Sequence, residues 1–167
     1  YRSLRQIAYP VSDLEVFVGA NGVGKSNLYR ALELLRAAAD NSLGADLARE
    51  GMDAAFWAGT RKRNDPPRIA LSVGLSAQGK AQADYRYEVE IGFPPNAASP
   101  TFDLEPQIKT EALAYLGGSR PVRLMERRGP SVMVRGEDGR PVQADMDILG
   151  SETVLGRLED PAKYPGL

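Results

Sequence analysis

The sequence contains no cysteine and no histidine. The first absence excludes a disulfide framework, a thiolate zinc site and a thiol nucleophile. The second excludes a Ser-His-Asp triad, imidazole metal sites and an imidazole general base. Chemistry in this chain therefore rests on lysine, serine, carboxylates, backbone amides and a bound metal. Charge of one sign is also lacking. The 21 basic and 22 acidic residues leave a net charge of -1, so whole-chain charge gives no argument for nucleic acid or a membrane surface. No run of ~18 apolar residues occurs, so no membrane-crossing helix is expected. Tyr1-Arg2-Ser3-Leu4-Arg5 has no apolar core behind it, so no signal peptide is expected either. The chain begins without Met, and the expected location is the cytoplasm.

What is present suits one soluble globular domain. At 167 residues the chain is long enough to bury a core without staples, and 43% hydrophobic residues supply one. Two local basic stretches stand out, Arg61-Lys62-Arg63 with Arg68, and Arg120, Arg123, Arg127 and Arg128. They read as solvated loop and strand faces, with nucleic-acid contact as the lesser reading, because a phosphate binder usually shows a clear basic excess.

The informative motif is Gly19-Ala20-Asn21-Gly22-Val23-Gly24-Lys25-Ser26, a full match to G-x-x-x-x-G-K-[ST]. A chance match in a chain of this length is roughly one in a few hundred. The context agrees, since the motif should follow a strand and open a helix. Leu14 to Val18 is a short β-rich run whose apolar density predicts a strand buried on both faces. After the turn, Leu28, Ala31, Leu32 and Leu35 recur at helical spacing and predict a helix from about Lys25 to Ala39 with that apolar face. The glycines permit backbone conformations that side chains forbid, so the loop amides can point inward as an anion nest. The helix N-terminus adds its positive end. In such a loop Lys25 reaches the β- and γ-phosphates of ATP, and the Ser26 hydroxyl coordinates Mg2+. Lys25 is the catalytic candidate and Ser26 the metal ligand.

The rest of the chain reads differently. Tyr1 to Ile7 alternates loosely as a possible strand, and a second short helix is expected around Ala45–Glu50. From Arg68 onward the pattern turns antiparallel. Ile69 to Leu75 and Tyr85 to Ile91 read as a hairpin with its turn at Gln78-Gly79-Lys80, the second strand alternating with period two. Further strands are expected from Phe102 to Ala114, Arg123 to Arg127, Val132 to Arg135 and Pro141 to Ala144. Gly129-Pro130 and Glu137-Asp138-Gly139 supply turns, and a short helix is expected over Glu152–Leu158. A Walker B carboxylate is not evident: Met146-Asp147 with Asp145, and Phe102-Asp103, sit in stretches too polar for a buried parallel strand.

Tyr1-Arg-Ser-Leu-Arg and, further on, Val18-Gly-Ala-Asn-Gly-Val-Gly-Lys-Ser-Asn27 resemble the amino-terminal part of RecF/SMC-like AAA family ATPases, ABC-type ATPases of the bacterial cytoplasm related to OLD-family proteins. Leu47 to Gly51 and Phe56-Trp57-Ala58-Gly59 are similar to the same proteins. The likeness is strong over about the first 60 residues and architectural beyond them. It implies an α/β fold, the first lobe of a P-loop NTPase (ABC-ATPase-like) with an antiparallel β-subdomain. Residues 1–60 would form the P-loop strand, loop and helix with the following segment. Residues 61–150 would form the β-subdomain, and 151–167 a short helix and tail leading toward a second lobe. The resemblance also places Asn21, Gly22, Val23, Gly24, Lys25, Ser26 and Asn27 along the triphosphate, with Arg2 and Ser3 near the nucleotide. For Arg2 the spacing alone favours a solvent-exposed residue on an edge strand. The implied partners are a second copy in a nucleotide sandwich, DNA and a nuclease, with no membrane. The family's signature motif and switch histidine have no counterpart here, so these residues read as one lobe of a longer protein. Two other readings compete: a nucleotide-gated interaction module without hydrolysis, and a P-loop kinase. The kinase requires parallel βαβ units, and the hairpin-rich stretch argues against it.

Overall fold

A computed structural model describes residues 1–11, 14–61, 66–76, 82–94 and 105–158. Helix α1 spans Lys25–Ala39, α2 spans Leu43–Glu50 and α3 is the single turn Met52–Ala55. Six strands follow: β1 Arg68–Leu75, β2 Tyr85–Gly92, β3 Gln107–Tyr115, β4 Val122–Arg128, β5 Ser131–Arg135 and β6 Pro141–Gln143. They pair in chain order as one sheet, and every ladder is antiparallel. The meander expected from the period-two pattern is therefore present. The Gln78–Lys80 turn and Phe102-Asp103 lie outside the described residues.

Alternation decides which sheet face is buried. In β2, Tyr87, Val89 and Ile91 point into the core while Tyr85 is exposed. The same face continues through Ile108 and Leu113 of β3, Met125 of β4, and Val132 and Val134 of β5. One core cluster joins this face to Leu34, Ala37 and Ala38 of α1, Leu43 and Leu47 of α2, Met52 and Ala55 of α3, and Phe56. Burying a side chain of this size is worth roughly 1.5–3 kcal/mol, so the cluster accounts for the docking of the short helices, which are too short to persist alone.

Three expectations need correction. Leu14 to Val18 forms no strand; Val16, Phe17 and Val18 are exposed, Val18 to 90%. Among the described residues this run pairs with neither open edge of the antiparallel sheet, β1 or β6, and a backbone forms a ladder only against a neighbouring strand. Tyr1 to Ile7 is not a strand either: it turns at Arg2–Ser3, with the Leu4 amide donating to the Tyr1 carbonyl at 2.7 Å. The buried stripe of α1 is also rotated. Leu34, Ala37 and Ala38 are buried, Leu28, Ala31 and Leu35 are half-buried, and Leu32 is exposed to 42%. The reason is that α2, β1 and the short 3-10 turn near the end of the described chain pack on the side of α1 that carries Leu34, Ala37 and Ala38.

The expected C-terminal helix is a 3-10 turn at Leu155–Arg157. A strap from Leu149 to Leu155 leads into it across the buried face of the sheet. Arg127 and Glu111, each 1% exposed, hold the strap. Arg127 donates to the carbonyls of Leu149 at 3.0 Å, Gly129 at 2.7 Å and Glu152. Glu111 accepts from the amides of Val154 at 2.7 Å and Leu155 at 2.9 Å, and from the Tyr87 hydroxyl at 3.0 Å. The strap also fixes the end of α1, because the Thr153 hydroxyl donates to the Ala38 carbonyl at 2.6 Å and the Thr153 amide to Asn41 Oδ1 at 2.8 Å. Arg127 thus leaves the basic surface stretch expected around Arg120–Arg128. Its neighbour Arg128 pairs with Glu126 at 2.8 Å.

Candidate functional site

Gly19 to Gly24 forms a turn that delivers Lys25 into the first residue of α1. Gly22 has φ +83° and Gly24 φ +99°. These are left-handed conformations that a side chain disfavours by roughly 1–2 kcal/mol. Gly24 is the N-cap of α1, and its carbonyl accepts from the amides of Asn27 at 3.0 Å and Leu28 at 3.2 Å. No side chain caps the helix and no acidic residue lies in its first turn. The positive end of a 15-residue helix therefore faces the turn without a carboxylate to neutralise it. This is the electrostatic setting that favours an anion.

The side chains arrange themselves around that turn. Lys25 folds back so that its ammonium donates to the carbonyls of Gly19 at 2.6 Å and Ala20 at 2.7 Å. The charge thus lies over the loop. Ser26, in the first helical turn, is exposed, as are Asn21, Gly22 and Val23. A Cβ built on Gly22 would meet nothing within 4 Å, so the loop is open on that side. Asn27 is half-buried, and its side-chain amide donates to Ser3 Oγ at 2.7 Å. Ser3 also presses on Gly24, where an added Cβ would lie 2.9 Å from the hydroxyl.

Sequence reasoning grouped Arg2 with Ser3 beside the nucleotide, but the structure separates their contacts. Ser3 packs on the glycine turn. The Arg2 guanidinium goes to Glu50 at the end of α2, at 3.0 Å. Glu50 is the residue that sequence reasoning missed. Its carboxylate also accepts from the Tyr1 hydroxyl at 3.0 Å and pairs with Arg30 of α1 at 2.5 Å. Burial, and then the hydrogen bond to Glu50, raises the Tyr1 phenol above its ordinary value. The available signal was a lone glutamate in the last turn of a helix, where the dipole disfavours it.

Other surfaces carry less chemistry. A groove of about 530 Å³ between α1 and α2 is lined by Arg30, Arg36, Arg49, Glu33, Asp46 and Glu50 among others. Its three arginines are already paired with carboxylates of the same two helices or of the turn after α1. Asp145 and Asp147 are exposed and lie outside any strand. Among the described residues, no three carboxylates gather as a metal cluster would require. No described helix is long and apolar enough to cross a membrane.

A glycine-rich turn that carries lysine and serine into the start of a helix is one part of the AAA/P-loop ATPase layout; the strand that should precede it is absent among the described residues, and the sheet is antiparallel throughout. The chain matches, over residues 15–117, the family described as AAA domain, putative AbiEii toxin, Type IV TA system. It belongs to that family. No curated protein matches it, and no solved structure does.

Proposed function

We propose that Gly19 to Ser26 binds the phosphates of ATP, with magnesium on the Ser26 hydroxyl, and that the chain is the first lobe of a RecF/SMC-like ABC-type ATPase. One observation carries this reading: Lys25 and Ser26 open an uncapped 15-residue helix behind two left-handed glycines, inside the span of the family match. The residues fit the ligand. Backbone amides and the helix end favour an anion, the Lys25 ammonium is within reach of the loop, and the exposed Ser26 hydroxyl is free to approach a cation. Bound magnesium would neutralise charge on the phosphates. The chain's own part is to orient them with Lys25 and the loop amides. Asn21, Val23 and Asn27 flank the path.

Hydrolysis belongs to a homodimer in which a second subunit completes each site, as the resemblance to ABC-type ATPases implies. The work coupled to it is DNA repair or defence against phage, with DNA and a nuclease as partners. The second reading is a nucleotide-gated interaction module without hydrolysis. The exposed, strandless positions of Asp145 and Asp147 favour it, since neither is placed as a Walker B carboxylate.

ATP turnover measured with magnesium on the protein that joins this lobe to its second lobe, across a range of protein concentrations, separates the two. The ATPase reading predicts a rate per chain that climbs with concentration and disappears in Lys25→Ala. Tight ATP binding with no turnover at any concentration would favour the gated module.

A further inference from the structure

We propose that Glu50 is a positioning residue for the glycine turn, a role that rests on the nucleotide-binding reading of that turn. Glu50 closes α2, where a carboxylate meets the negative end of its own helix. Its placement therefore does little for α2 and is explained by its partners. The carboxylate is 15% exposed and gathers three donors: Arg2 and Tyr1 on one oxygen, Arg30 on the other.

Two short routes run from these donors to the loop. Arg30 lies on α1, the helix that Lys25 opens. Arg2 precedes Ser3, and Ser3 is the residue that presses on Gly24 and accepts from Asn27. The Arg2 backbone is in an unfavourable state, with φ +46° on a non-glycine residue. Its Nε is buried without a hydrogen-bond partner. Such a conformation persists only where its surroundings over-determine it. The Arg2 amide donates to the Ala55 carbonyl at 3.0 Å, and the Ala58 amide donates to the Arg2 carbonyl at 2.8 Å. Glu50 holds the side chain. Releasing that side chain lets the Arg2–Ser3 turn relax and withdraws Ser3 from Gly24, which loosens the loop where its backbone is most constrained. The position of α2 and the shape of the loop are thereby coupled, and by linkage a nucleotide bound at the loop tightens the Arg2–Glu50–Arg30 junction.

The test is equilibrium binding of a fluorescent ATP analogue with magnesium, measured well below the melting temperature, for the wild type, Glu50→Gln, Arg30→Gln and Lys25→Ala. Arg30 is 47% exposed, so Arg30→Gln is expected to fold even if Glu50→Gln does not. Affinity per folded molecule should fall by on the order of tenfold in Glu50→Gln, and by a smaller factor in Arg30→Gln, as is usual when a supporting residue behind a ligand-binding group is removed. A purely structural Glu50 would lower the melting temperature and leave that affinity unchanged. Unchanged affinity in folded Glu50→Gln and Arg30→Gln, while Lys25→Ala loses binding, would overturn the proposal and leave the nucleotide reading standing. Absence of binding by the wild type would overturn both.

Discussion

Gly24 shows how far one residue type constrains this chain. Its φ of +99° and the Ser3 hydroxyl 2.9 Å from its would-be Cβ both exclude a side chain. Gly24→Ala is expected to cost roughly 1–2 kcal/mol from the backbone alone, and more from the contact with Ser3. A melting curve checks the stability loss, and an ATP titration should show that the remaining folded protein binds more weakly. This part of the site was legible in the sequence, because a phosphate loop needs those glycines and the lysine and serine that follow them. Glu111 and Arg127 were not read, although the pattern contained them. Counting by twos from Leu113 reaches Glu111, and from Met125 reaches Arg127, so the alternation already placed both on the buried face. The habit of assigning charged residues to the surface hid them.

At the scale of elements, the strap is the joint between α1 and the sheet. An acid that takes the strap's amides and a base that gives to its carbonyls share the work. Truncating one of them leaves several of the strap's buried backbone groups without a partner, and each such loss typically costs about 1–3 kcal/mol. Arg127→Met is therefore expected to be strongly destabilising, with faster hydrogen exchange at the amides of Val154 and Leu155. The double variant Arg127→Met with Glu111→Leu should lose less than the sum of the single losses, and simple additivity would argue against the joint. Burial raises the Glu111 carboxyl above its ordinary value, against the pull of its amide and hydroxyl partners and of Arg127. A carboxyl raised on folding takes up protons as the chain folds. Its contribution is thus complete below the ordinary carboxylate value and declines as the pH climbs toward the folded one. The gap in stability between wild type and Glu111→Gln should accordingly narrow across that interval. A constant gap would contradict the assignment.

The elements also show where sequence reading stops. The extent of α1 and the meander were legible because period and turn chemistry are local. The Leu14 to Val18 strand was not, since apolar density reports a tendency to be covered and says nothing of the partner. A strand needs a neighbour for its backbone, and among the described residues the run pairs with neither open edge of the sheet, β1 or β6. The buried side of α1 depended likewise on α2, the strap and the sheet, all far away in sequence.

Taken whole, the molecule has a balanced charge and no cluster of carboxylates among its described residues. Its most distinctive chemistry lies at one helix end, and the match to the AAA-domain family, over residues 15–117, includes that end. The central claim is that this helix end binds a nucleoside triphosphate through Lys25. Calorimetric titration of ATP with magnesium into the wild type and Lys25→Ala tests it most directly. Saturable binding by the wild type is expected, weakened by about a hundredfold in the variant, as befits the loss of charge-assisted bonds to phosphate. The melting temperature should barely change, because Lys25 contacts the loop rather than the core. Equal affinity in a folded Lys25→Ala protein would contradict the account.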